Sequence, residues 1–165
     1  MKSTRDFVFF WKTAEIYSNW HPSVFTDAEG HRFVNSEQYL MYHKALVMGD
    51  TATAEQILHE ASPGRIKALG RQVRDYDEAR WEAERLGVME AGCYLKFTQN
   101  PAMQGELLAT GSRTLVEASP VDAIWGIGMA EDDPLCETPT EWRGRNLLGI
   151  ALTNVRERIR GERAK

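Results

Sequence analysis

The chain has 165 residues, 42% of them hydrophobic and 27% charged, with a formal net charge of −4. That balance belongs to a folded domain with a sizeable core and excludes a disordered or fibrous chain. An acidic surplus disfavours a nucleic-acid partner, whose phosphates demand a basic surface, and no apolar run reaches the ~20 residues that a membrane span needs. The two cysteines, Cys93 and Cys136, are too few for a disulfide framework, and residues 1–6 lack the apolar segment of a signal peptide. Together these point to the cytoplasm.

Residues 7–17 are aromatic and β-prone, with Phe7, Phe9 and Trp11 at period two, and Ser18-Asn19-Trp20-His21-Pro22 follows as a turn. Residues 24–33, broken by Asp27-Ala28-Glu29-Gly30, read as a short hairpin. Asn35 is a good N-cap, and Gln38 three residues on completes a capping box for a helix that runs to about Met48 and stops at Gly49. A second helix spans roughly residues 51–61, and Ser62-Pro63 supplies a cap and a first-turn proline for a third. A long helix is expected over residues 77–98, and Asn100-Pro101 opens another that ends at Thr110-Gly111. A short strand over residues 112–118 precedes the turn Ser119-Pro120-Val121-Asp122. Residues 129–142 form an acidic loop, and Asn146 caps a last helix to about Arg160. The expectation is a mainly α, multihelical single domain over residues 1–165 with a small β component.

Glu37 lies in the first turn of its helix, where the macrodipole favours an anion, and Lys44 follows two turns later on the same face. On the long helix Trp81, Arg85, Val88, Gly92 and Lys96 share a face. There Trp81 either stacks a planar ring beside Arg85 or packs in the core. Gly92 in mid-helix marks a close approach by a neighbouring helix or by a ligand. Arg65, Lys67 and Arg71 make the third helix basic. Asn19 either meets sugar hydroxyls or closes its turn. Asp122 and Trp125 set an acid three residues from an indole on a stiff turn. His21, His31, His43 and His59 show no metal-ligand spacing, and nucleophile-elbow and phosphate-loop motifs are missing. Two carboxylates, aromatics and cations suit hydrolysis at an anomeric carbon.

The motifs are now specific enough to compare. Tyr17-Ser18-Asn19-Trp20, Asn35-Ser36-Glu37-Gln38-Tyr39 leading to Lys44-Ala45, and Ser62-Pro63 to Gly70-Arg71 come first. Trp81 with Arg85 and Met89, Lys96-Phe97-Thr98-Gln99-Asn100-Pro101, Ala118-Ser119-Pro120 to Gly128, and Gly144-Arg145-Asn146-Leu147-Leu148-Gly149 follow in order. In this series the chain resembles the YbiA-like riboflavin-intermediate N-glycosidases of the NADAR superfamily. Gln38 stands where that family usually has His.

The resemblance implies a mainly helical fold and cleavage of the N-glycosidic bond in phosphoribosylamino-pyrimidines, giving a diaminopyrimidine and ribose 5-phosphate. It carries the functional carboxylates onto Glu37 and Asp122 and the pocket tryptophan onto Trp81. It implies neither a metal nor an organic cofactor. Joined to the residue pattern, it places Asn19 at the ribose, Trp81 and Trp125 at the pyrimidine, and Lys44, Arg71 or Arg85 at the phosphate. An ADP-ribosyl N-glycoside such as ADP-ribosylated guanine is the alternative substrate, and a sensor of nucleotides or sugar phosphates without turnover the alternative class.

Overall fold

A computed structural model describes the whole chain, Met1–Lys165. It contains six α-helices and five short strands and divides into two compact units: Asn19–Pro101, and Met1–Ser18 together with Ala102–Lys165. No helix is long and apolar enough to cross a membrane.

The unit Asn19–Pro101 is built around α1 (Ser36–Val47), which packs on α2 (Thr51–Leu58), α3 (Pro63–Arg71) and α4 (Glu78–Thr98). The Asn35 side chain caps α1 by accepting from the Gln38 amide at 2.8 Å, and Gly49 ends the element at φ +75°. The expected reciprocal half of the capping box does not form. Gln38 instead accepts from the Val34 amide and donates its Nε2 to Ile57, Leu58 and Glu60 carbonyls, satisfying the end of α2. That helix closes at Leu58, short of the expected residue 61.

Close approach is secured by glycines. A Cβ on Gly92 would lie 2.6 Å from the Tyr39 ring, and one on Gly70 would lie 2.1 Å from Met41 Sδ. The mid-helix glycine therefore admits α1 rather than a ligand. The hairpin β3 (Phe25–Thr26) and β4 (Arg32–Phe33) stacks Phe25 on Phe33 with ring centroids 5.5 Å apart. In its turn Asp27 accepts from the Glu29 and His31 amides and meets His31 Nδ1 at 2.9 Å, which accounts for the grouping of Asp27, Glu29 and His31.

In the other unit, β1 (Lys2–Ser3), β2 (Phe7–Phe10) and β5 (Thr114–Glu117) form a sheet in the order β1-β2-β5. Its β2–β5 pairing is parallel. The expected strand over residues 7–17 closes at Phe10, and Val8, Phe9 and Phe10 are all buried. A central strand covered on both faces has no polar side to alternate with. Helix α6 (Leu147–Arg163) packs on β5, and α5 (Pro101–Ala109) is tied to it by Arg160, which donates to the Leu108 and Gly111 carbonyls.

Asn146 precedes α6 in left-handed conformation (φ 53°) and makes no capping bond. Its side chain instead accepts from the Glu117 amide and donates to the Leu115 carbonyl, both at 3.0 Å, closing the outer edge of β5. The start of α6 is satisfied by carbonyls of the 122–126 turn. Arg145, Asn146, Leu147 and Leu148 amides donate to the Ala123, Gly126, Ile124 and Trp125 oxygens.

Candidate active site

Glu37, Lys44, Arg71, Trp81, Arg85 and Asn19 all belong to the unit Asn19–Pro101. The Asn19 carbonyl accepts the Glu37 amide at 3.0 Å. Its side-chain oxygen accepts from Ser36 Oγ at 2.9 Å, and its Nδ2 meets Met89 Sδ at 3.4 Å. Asn19 thus fixes the first turn of α1, and with it the buried Glu37, from both sides.

Lys44 lies two turns along α1, half-buried, with its ammonium 4.8 Å from the centroid of the Tyr76 ring. Burial pushes its pKa down, the Glu37 and Glu78 carboxylates pull it back up, and the Arg71 charge lowers it again; the net shift is downward. Two acids and a second cation, drawn from α1, α3 and α4, therefore act on one ammonium. Arg71 is exposed at the end of α3.

On α4, Trp81 and Arg85 are each only 4% exposed, so the indole is packed inside rather than half-open. The Arg85 guanidinium donates from Nη1 to Glu78 Oε1 at 3.2 Å, while its Nε is buried without a partner. Glu78 also accepts a hydrogen bond from the Tyr76 hydroxyl. That bond, foremost, and the Arg85 and Lys44 charges hold the Glu78 carboxyl below its ordinary range against desolvation. Burial, with Glu78, pushes the Tyr76 hydroxyl up to about 12.

Glu78 and Tyr76 escaped the sequence reading. The signal for Glu78 is its place seven residues before Arg85, on the same face of one helix. Lys96, near the end of α4, is 1% exposed, and burial pushes its ammonium down to about 8.

Asp122 and Trp125 belong to the other unit, both half-buried. Asp122 Oδ1 accepts from the Ile124 and Trp125 amides at 2.9 and 2.8 Å, so the acid shapes the turn that satisfies α6. Gly126 lies in that turn with no room for a side chain: a Cβ would fall 2.9 Å from the Asp122 and Glu117 carbonyls.

Comparison with known proteins places these features in a family. The NADAR domain model matches residues 9–160. Protein irg-1 of Caenorhabditis elegans is 42% identical over 94% of this chain and 81% of its own length. N-glycosidase R617 of Acanthamoeba polyphaga mimivirus is 40% identical over 86% of each. The riboflavin biosynthesis protein PYRR of Zea mays is 32% identical over 92% of this chain, which spans 25% of that longer protein. The solved structure of the Escherichia coli protein YbiA superimposes with a TM-score of 0.80 at 26% identity, covering 99% of this chain and 90% of that one. The mainly helical architecture with its small sheets is the YbiA fold, and the chain belongs to the NADAR domain family as a YbiA-like member.

Proposed function

We propose that this chain is an N-glycosidase that hydrolyses phosphoribosylamino-pyrimidine intermediates of riboflavin biosynthesis to a diaminopyrimidine and ribose 5-phosphate. The observation that carries the reading is the buried Glu37 with Lys44, Arg71 and Arg85 in one unit, an acid held beside cations that suit a phosphate. Relatives named for N-glycosidase activity and for riboflavin biosynthesis support the reaction and the substrate class.

In this mechanism the Glu37 carboxylate orients water and takes its proton as the oxygen bonds to the anomeric carbon. The bond from that carbon to the amine nitrogen breaks, its electron pair stays on nitrogen, and the leaving amine takes a proton from solvent, to which Glu37 returns the one it accepted. The carboxylate charge also stabilises the oxocarbenium-like transition state. Lys44, Arg71 and Arg85 hold the phosphate. The resemblance also gives Asp122 a functional role, for which Oδ2 is the available oxygen, because Oδ1 is held by two backbone amides.

A second reading, hydrolysis of an ADP-ribosyl N-glycoside, draws on the same cations: three exceed the needs of a monophosphate and suit a diphosphate. The deciding experiment supplies freshly made 5-amino-6-(5-phosphoribosylamino)uracil and measures ribose 5-phosphate. Wild type is expected to release it, and Glu37→Gln to lose about 10²–10⁴-fold in kcat while keeping its far-ultraviolet dichroism. Equal turnover in the variant would remove Glu37 from the mechanism. No release by wild type, with release from an ADP-ribosyl guanine substrate, would move the chain to the second reading. Silence on both would leave a sensor.

A further inference from the structure

We propose that Glu78 is an internal stand-in for the substrate's anion: it occupies the cationic subsite of Arg85 and Lys44 until a phosphate displaces it. The proposal rests on the reading of that subsite given above and adds a residue that sets its affinity and selectivity.

The asymmetry of the pair points this way. The Arg85 side chain is 5% exposed, whereas that of Glu78 is 59% exposed. A buried guanidinium needs acceptors for its donors, yet Nη1 alone reaches Glu78 and Nε stays buried and unpartnered. A carboxylate seated to satisfy Arg85 would be expected to engage the fork with both oxygens. Here the second oxygen is turned to the Tyr76 hydroxyl instead. A phosphate has three acceptor oxygens and can take a whole guanidinium edge, Nη1 with Nη2 or Nε with Nη2, where Glu78 takes a single donor.

Lys44 completes the subsite. Its ammonium rests on the Tyr76 ring, and the Glu78 charge reaches it. A dianion entering between Lys44 and Arg85 would meet the Glu78 charge at close range, so Glu78 must swing outward. Its side chain, already exposed, returns to water at small cost. Tyr76 stays protonated through neutral pH and holds the displaced carboxylate or lets it go. Neutral or weakly charged ligands cannot displace Glu78, which makes the contact a filter for dianions.

The test is calorimetric titration of ribose 5-phosphate and of inorganic phosphate into wild type, Glu78→Gln, Tyr76→Phe and Arg85→Lys, with turnover measured separately. Glu78→Gln is expected to tighten ribose 5-phosphate about three- to tenfold, the range expected from removing one competing ion pair. Tyr76→Phe, which loosens one tether, is expected to tighten it less, and Arg85→Lys to weaken it. Unchanged or weaker binding in Glu78→Gln would overturn the proposal, since Glu78 would then be orienting Arg85 rather than competing for it. Absence of phosphate binding in every variant would overturn it as well. Tightening in Glu78→Gln by a protein that releases no ribose 5-phosphate from the pyrimidine substrate would uphold the stand-in while removing the proposed reaction.

Discussion

At Asp122 the two carboxylate oxygens are held differently: Oδ1 accepts from two backbone amides and Oδ2 from neither. Substitution can separate the two roles. In Asp122→Asn a carbonyl oxygen remains at Oδ1, so the turn is expected to persist with an unchanged melting midpoint while kcat falls through loss of charge. Asp122→Ala is expected to lose activity and also about 1–2 kcal/mol of stability, as removal of a capping acceptor does. Thermal melts beside turnover assays check both. Full activity in Asp122→Asn would reduce the residue to a turn former. Glu37 presents the opposite case: the backbone around it is fixed by Asn19 and Ser36, so its Gln variant is expected to leave the fold alone.

Among the elements, the contact of α4 with α1 gives a test in which two effects oppose each other. Alanine at Gly92 gains about 1 kcal/mol of helix propensity. The added methyl, however, would sit 2.6 Å from the Tyr39 ring, and overpacking costs about 1–3 kcal/mol. Gly92→Ala is therefore expected to lower the urea midpoint, and a rise would mean that the two helices part easily. The same comparison shows what sequence reading can reach. Caps and stops at Asn35, Gly49, Ser62 and Gly111 were legible because they act on their own neighbours. Asn146 was legible as a position but not as a chemistry, because its partners lie some thirty residues back on β5. Strand β2 was read too long because a sheet covered on both faces erases the alternation that marks its end. For the site, Glu37, Lys44 and Arg85 stood out by helical spacing. Their electrostatic partner Glu78 escaped, because an acid in the first turn of a long helix carries no mark of its own until Tyr76 and Arg85 lie on either side of it.

For the whole molecule, stability should carry the mark of Lys96. Its pKa is about 8 in the fold against 10.5 unfolded, so below pH 8 it is charged in both states and contributes no slope. Above pH 8 the unfolded lysine keeps its proton while the folded one loses it, a contribution that raises stability by up to about 1.4 kcal/mol per pH unit. Tyr17 and Tyr76, both held up to about 12, give the opposite slope once unfolded tyrosines ionise near pH 10. The buried Cys93 thiol, pushed up to about 12 from 9, and the raised Met1 ammonium oppose this rise in the same range, so the lysine is read from the difference between wild type and Lys96→Met across about pH 7.5 to 9.5, with the wild-type slope the more positive. A slope unchanged in that variant would assign it to another group.

The parallel pairing of β2 with β5 carries a different cost, one of chain entropy. Phe7–Phe10 must find Thr114–Glu117 across the whole of residues 11–113, a closure whose entropic cost grows as the logarithm of the intervening length and reaches about 4 kcal/mol here. Near the ends of the inserted unit, Gln99 exchanges hydrogen bonds with the Thr26 backbone, and Asn100 donates to the Val24 carbonyl. Once that unit has folded, the long tether is cinched to a shorter one, and the remaining search for the N-terminal strand runs over roughly a dozen residues on either side. Two side chains just past α4 thereby shorten the loop that the β2–β5 pairing has to close.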